Sequence, residues 1–184
     1  MKTHKAPAGK ATESPVIEVL NKARSAELAA ITQYMAQHYG LDDADYGQVA
    51  AQLKLIAIDE MRHAELFAER VYELHGLPAT EPDLKAVKGQ KVQEVPGFDA
   101  CLEIKAIADY NAFMQLCLQH RDGQSAKLFE TIIAEEQAHL TYFENVRDHI
   151  QDLGAAYLAQ IAGGPAEAGA PAQGFVASQG KPAA

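Results

Sequence analysis

The sequence predicts an all-α chain: a four-helix bundle with a long crossover between helices two and three and a short fifth helix at the C-terminal end. Three observations lead there. Four long stretches carry apolar residues at helical rather than alternating spacing. Each of them stops at a recognisable turn signal. One aperiodic connection of about twenty residues separates the second stretch from the third, long enough to run the full height of a helix pair.

Helix one is expected over about 15–39, with Val16, Leu20, Glu27, Ile31, Tyr34 and His38 near one face and Gly40 as its C-terminal cap. Helix two follows the polar turn Leu41-Asp42-Asp43, spans about 44–75 and ends at Gly76-Leu77-Pro78. The crossover runs from Leu77 to Gly97. Helix three spans about 98–120, behind Pro96-Gly97 and ahead of Asp122-Gly123, and helix four about 124–153, up to Gly154. The fifth helix covers 155–161. These elements make one domain over 15–162, flanked by tails at 1–14 and 163–184 that are expected to be mobile because they lack the apolar content to pack.

Composition narrows the function. The 184 residues are 48% hydrophobic and 22% charged, enough for one well-filled core. Sixteen Lys and Arg against twenty-five Asp and Glu give a net charge of −9, which argues against a nucleic-acid surface or an anionic membrane as the main partner and makes cations the more natural ligands. Cys101 and Cys117 lie on one predicted helix, where the rise separates them by roughly 24 Å, too far to pair. No Cys-x-x-Cys occurs, so zinc ribbons and disulfide scaffolds are disfavoured. The basic N-terminal residues precede no apolar core of a signal peptide, and no run of about 18 apolar residues follows; a cytoplasmic location is expected.

The chemistry lies in a repeat. Glu-x-x-His occurs as Glu60-Met61-Arg62-His63 and again as Glu136-Gln137-Ala138-His139, an offset of 76 residues. At i and i+3 on a helix, a carboxylate and an imidazole share a face and converge on one cation. Thirty-three residues upstream of each copy stands another glutamate, Glu27 and Glu103; Tyr34 and Tyr110 follow these by seven, and Phe67 and Phe143 follow the histidines by four. The midpoint between Glu27 and Glu60 falls in the first predicted turn, so a hairpin sets both glutamates at one level. The second midpoint, at 119–120, falls within about two residues of the Arg121-Asp122-Gly123 turn, so the same levelling applies there.

Glu60 and His63 share an apolar stripe with Leu53, Ile56 and Phe67, within a sector of roughly 80°. Four carboxylates inside a bundle would each cost several kcal/mol to desolvate and would repel one another. Two divalent cations cancel that charge. Carboxylate-rich ligation with one imidazole per metal suits iron or manganese better than structural zinc. Glu27 and His63 are assigned to one metal, Glu103 and His139 to the other, with Glu60 and Glu136 bridging.

These residues resemble the ferritin-like di-iron carboxylate proteins, and within them the bacterioferritins, over nearly all of 16–161. The most specific element is Asp59-Glu60-Met61-Arg62-His63-Ala64-Glu65, which is similar to the segment holding a ferroxidase ligand pair and a haem-ligating methionine in that family. The resemblance implies a ferroxidase that oxidises Fe(II) with oxygen or hydrogen peroxide at an intrasubunit di-iron site and stores the mineral in a hollow shell of 24 subunits built from haem-bridged dimers. By the same resemblance two iron ions bind each subunit through Glu27, Glu60, His63, Glu103, Glu136 and His139, and an iron porphyrin (haem) is shared between two subunits through Met61. Tyr34 matches a tyrosine beside the di-iron site, and Asp59 is a candidate for guiding iron toward the cavity. The family context also implies an electron-donor protein, and no nucleic acid or membrane partner. Leu55 stands where some members carry an inner-surface histidine, which argues against an accessory iron site. The alternative is a di-iron oxidase or a manganese catalase-type peroxide scavenger on the same bundle.

Overall fold

The computed structural model describes residues 14–164 and 174–179. Its elements are α1 (Pro15–Asp43), α2 (Gly47–Glu73), α3 (Val95–Gln119), α4 (Gly123–Leu153), α5 (Ala155–Ile161) and a single turn, α6 (Phe175–Ser178). Helices α1 and α2 form one antiparallel hairpin, α3 and α4 the other. The hairpins pack with α1 beside α3 and α2 beside α4. Among the described residues no helix is long and apolar enough to cross a membrane, and neither Cys101 nor the buried Cys117 is in a disulfide.

Two apolar clusters fill the bundle above and below its middle. One gathers Leu20, Phe67, Tyr110 and Phe129, the other Tyr34, Leu53, Ile56 and Phe143. The polar side chains described below occupy the level between them.

The helix limits depart from expectation at the turns. Gly40 does not end α1; the helix continues to Asp43, because Leu41 is buried against the next helix and packing outweighs the roughly 1 kcal/mol a helical glycine costs. The left-handed residue that stops it is Asp45, with φ 62°, and Tyr46 N–H then donates back to Leu41 O at 2.8 Å. His75 and Arg121 do the same after α2 and α3, where Gly76 N–H reaches Val71 O and Asp122 N–H reaches Cys117 O, both at 2.9 Å. Pro96 and Gly97 lie inside α3 rather than ahead of it; a proline in the first turn gives up only an N–H that has no helical partner.

The crossover is strapped along α1 by side chains of that helix. Asn21 exchanges hydrogen bonds with Leu77 O and Ala79 N–H, Arg24 Nε donates to Ala79 O, and Gln33 brackets Val87 by accepting from its N–H and donating to its carbonyl. At the far end Gln37 Nε2 donates to Gln90 Oε1 at 2.9 Å and to Asp99 Oδ1 at 2.8 Å.

Asp99 is fully buried, and burial pushes its carboxyl up to about 8. A raised folded-state pKa means the native state holds a proton that the unfolded chain has released, so stability falls as pH climbs from the ordinary aspartate range toward 8. Asp99→Asn is expected to gain about 3–4 kcal/mol relative to the native chain between pH 5 and pH 8. Denaturant titrations of both chains across that interval test this; a stability difference constant in pH would contradict it.

Of the expected tails, residues 1–13 lie outside the described residues, as do 165–173 and 180–184. Residues 174–179 are described and pack against α2 and α4, with Phe175 buried. One aromatic ring in a Gly- and Ala-rich stretch is enough to dock a turn, which average composition does not register.

Candidate metal centre

The six side chains singled out by the repeat meet in the middle of the bundle. Glu27, Glu60, Glu103, Glu136, His63 and His139 are all buried. Their donor atoms form two overlapping groups, Glu27, Glu60, His63 and Glu136 in one, Glu60, Glu103, Glu136 and His139 in the other, with all atoms of a group within 4.8 Å of one another.

Each histidine turns Nδ1 inward. His63 Nδ1 lies 2.9 Å from Glu60, 3.2 Å from Glu136 and 3.8 Å from Glu27. His139 Nδ1 lies 3.0 Å from Glu136, 3.3 Å from Glu60 and 4.0 Å from Glu103. Glu60 and Glu136 thus touch both imidazoles, whereas Glu27 and Glu103 each face one.

The surrounding groups are crossed between the halves. Tyr34 on α1 donates its hydroxyl to Glu103 on α3, and Tyr110 on α3 donates to Glu27 on α1 at 2.5 Å. Phe143 packs on Tyr34 and Phe67 on Tyr110, each with 5.7 Å between ring centroids. The outward Nε2 atoms are held by acids of the opposite half: His63 by Glu135 at 3.1 Å, His139 by Asp59 at 3.4 Å. An acid on the far nitrogen fixes the ring and raises its basicity toward a cation.

Charge balance without an ion is uneasy. Burial, then the neighbouring charges of Glu136 and Glu60, raises Glu27 and Glu103 well above the usual carboxylate range. Against the cost of burial, His63 and His139 hold Glu136 below it. Burial opposes charge on both histidines too, yet the carboxylates around them raise both well above the ordinary imidazole value. Burial and the carboxylates raise the Tyr34 and Tyr110 hydroxyls, so both phenols stay protonated donors. Glu136 Oε1 is buried with no well-aligned hydrogen bond, its neighbour being His63 Nδ1 at 3.2 Å. Protons stand in here for positive charge, and two divalent ions would replace them with ligands to spare.

A cavity of about 420 Å³ reaches this cluster between α1 and α3, beneath crossover residues 83–87, and Glu27, Glu60, Glu103 and Glu136 form part of its wall. The cavity gives a small cation a path to these carboxylates, past a wall that also carries Lys22, Lys85 and Lys105.

Met61, by contrast, lies outside the cluster. It follows Glu60 on α2, projects from the bundle's flank and is 50% exposed. Asp59 does not point into open space as a guide for iron would. It is buried, and His139 together with the Val176 N–H holds its carboxyl ionised in spite of burial. Glu135 is not among the residues the sequence singles out, although a signal for it exists: it stands 76 residues after Asp59, the same offset that relates the two Glu-x-x-His motifs.

Comparison with known proteins agrees with the geometry. Residues 17–153 match the ferritin-like domain family. A bacterioferritin of Desulfovibrio desulfuricans is 56% identical over 164 residues, covering 89% of this chain and 92% of that one. A bacterioferritin of Streptomyces coelicolor is 35% identical, covering 79% and 88%. Among solved structures, the X-ray structure of Desulfovibrio desulfuricans bacterioferritin, described as showing its diiron site in different catalytic states, superposes with a TM-score of 0.84 at 55% identity, over 92% of this chain and all of that one. Mycobacterium tuberculosis bacterioferritin gives a TM-score of 0.78 at 30% identity, over 84% and 98%.

Proposed function

The chain belongs to the bacterioferritin family of ferritin-like proteins, and from that premise we propose that Glu27, Glu60, His63, Glu103, Glu136 and His139 are its ferroxidase ligands, the reaction being oxidation of Fe(II) for storage as ferric mineral in an oligomeric shell. The observation that carries the assignment is the pair of buried donor groups sharing Glu60 and Glu136.

Two ferrous ions enter as substrates through the cavity between α1 and α3. Glu27 and His63 take one ion, Glu103 and His139 the other, and the shared glutamates bridge them, as their distances to both imidazoles support. Binding displaces the protons that Glu27, Glu103 and the histidines otherwise hold. One electron leaves each ion, which matches the two-electron reduction of oxygen to hydrogen peroxide, or of hydrogen peroxide to water. Tyr34 and Tyr110 hold the two terminal glutamates in register, and the Phe143 and Phe67 rings beside them keep water out.

The finer parts of this reading are a 24-subunit shell, haem bridging two subunits through Met61, an electron-donor protein and a cytoplasmic location. Met61 fits the haem role by its chemistry: a thioether, half exposed on a flank facing away from the carboxylates. A haem there supplies a one-electron redox centre.

One experiment addresses both parts. Ferrous ions added to the metal-free protein and mixed with oxygen should show a fast oxidation phase that saturates at two ions per chain, in a particle of about half a megadalton with a Soret band. Met61→Leu should keep the fast phase and the particle but lose the Soret band. Saturation at any other stoichiometry counts against the centre, and full haem content in the variant removes Met61 from the account.

A further inference from the structure

The centre is twofold in its ligands but not in what covers it. Asp59 and Glu135 occupy matching positions, each bound to the outward Nε2 of the opposite histidine. Glu135 keeps 25% of its side chain exposed, whereas Asp59 keeps 1%. What buries Asp59 is the C-terminal turn. Val176 N–H donates to Asp59 Oδ2 at 2.9 Å, and the Phe175 ring stands edge-on to His139 at 5.7 Å and beside Tyr142 at 5.3 Å. Gly174 lies so close that a Cβ there would collide with the Asp59 carboxylate, so any other residue would have to displace that carboxylate or the turn itself. Arg62 adds a contact to the same carboxylate at 3.2 Å. Among the described residues, no second segment does this for Glu135 and His63.

We propose that the turn Gly174–Gln179 is a positioning element that makes the two metal subsites unequal. This rests on the ligand assignment above and deepens it. By donating to Asp59 and laying an aromatic ring on His139, the turn fixes that imidazole and shields its outer edge from water. The ion held by Glu103 and His139 therefore exchanges slowly. The ion held by Glu27 and His63, backed only by the partly exposed Glu135, exchanges fast. Loss of a partner one step removed from a metal ligand weakens metal binding by about ten- to hundredfold, and the difference between the subsites is expected on that scale.

The test loads the full-length, haem-containing protein anaerobically with two Co(II) per chain and follows the cobalt d–d absorption while excess EDTA extracts the metal. Two phases of equal amplitude are expected, the slower by about tenfold or more. Gly174→Val, which forces the turn off Asp59, and Phe175→Ala, which removes only the ring, should accelerate the slow phase and leave the fast phase unchanged. Amide hydrogen exchange at Val176, slow in the native protein, should become fast in Gly174→Val. A chain that binds two cobalt ions but releases them in one phase overturns the role of the turn and leaves the ligand assignment standing. So do variants that change neither phase, or that accelerate both equally. A chain that binds no cobalt overturns both.

Discussion

Glu103→Gln slows the fast phase of ferrous oxidation by at least about a hundredfold while the metal-free protein melts no lower than the native one. The two halves of this expectation have one cause. In the absence of metal, burial and the charges of Glu136 and Glu60 keep Glu103 protonated, so an amide of the same shape replaces a neutral group with a neutral group. The Tyr34 hydroxyl still finds an oxygen to donate to, and no void opens. Once ferrous ions arrive the side chain must become an anion, which the amide cannot. Stopped-flow oxidation together with thermal unfolding of the metal-free variant separates the two. Native-like oxidation excludes Glu103 as a ligand, and a lower melting temperature would mean that its carboxylate is structural.

Filling both subsites with Co(II), which lacks the redox step, raises the melting temperature by about 15–30 °C at a free metal concentration near a thousandfold over Kd. The gain grows between pH 5.5 and pH 7.5. Glu27 and Glu103 sit well above the usual carboxylate range, and His63 and His139 well above that of imidazole, so metal competes with protons at four of its six ligands. Raising the pH removes the competitor. Calorimetry of the metal-free and cobalt-loaded protein at both ends of the interval measures the effect. A shift independent of pH would place the cobalt elsewhere.

How much of this is legible in the sequence depends on the kind of information involved. The clustering of Glu27, Glu60, His63, Glu103, Glu136 and His139 is readable because a 76-residue repeat ties them together, and hairpin geometry turns equal spacing into equal height. Tyr34 and Phe143 are readable as neighbours of the centre for the same reason. That Tyr34 serves Glu103 rather than Glu27 is not, because the repeat fixes level along the bundle and not which helix a side chain crosses to. Asp59 stands out in the sequence as an acid beside the ligands, but its part in buttressing His139 depends on Val176, a residue 117 positions away. The turns mislead for a local reason. Asp45, His75 and Arg121 each take the left-handed conformation, where glycine is the expected signal, and each is held there by the backbone hydrogen bond that closes the preceding helix.

The crossed arrangement also bears on where such a centre comes from. Each half of the chain supplies three of the six clustered side chains, and on the proposed assignment each ion would borrow a fourth, with its supporting phenol and outer acid, from the other half. A lone helical hairpin of this kind would be an unfinished vessel, acidic on its inner face and stable only against a second copy of itself. Two such copies joined end to end would need a link tall enough to climb the whole assembly. In this chain that link is the crossover, strapped along α1 by Asn21, Arg24 and Gln33.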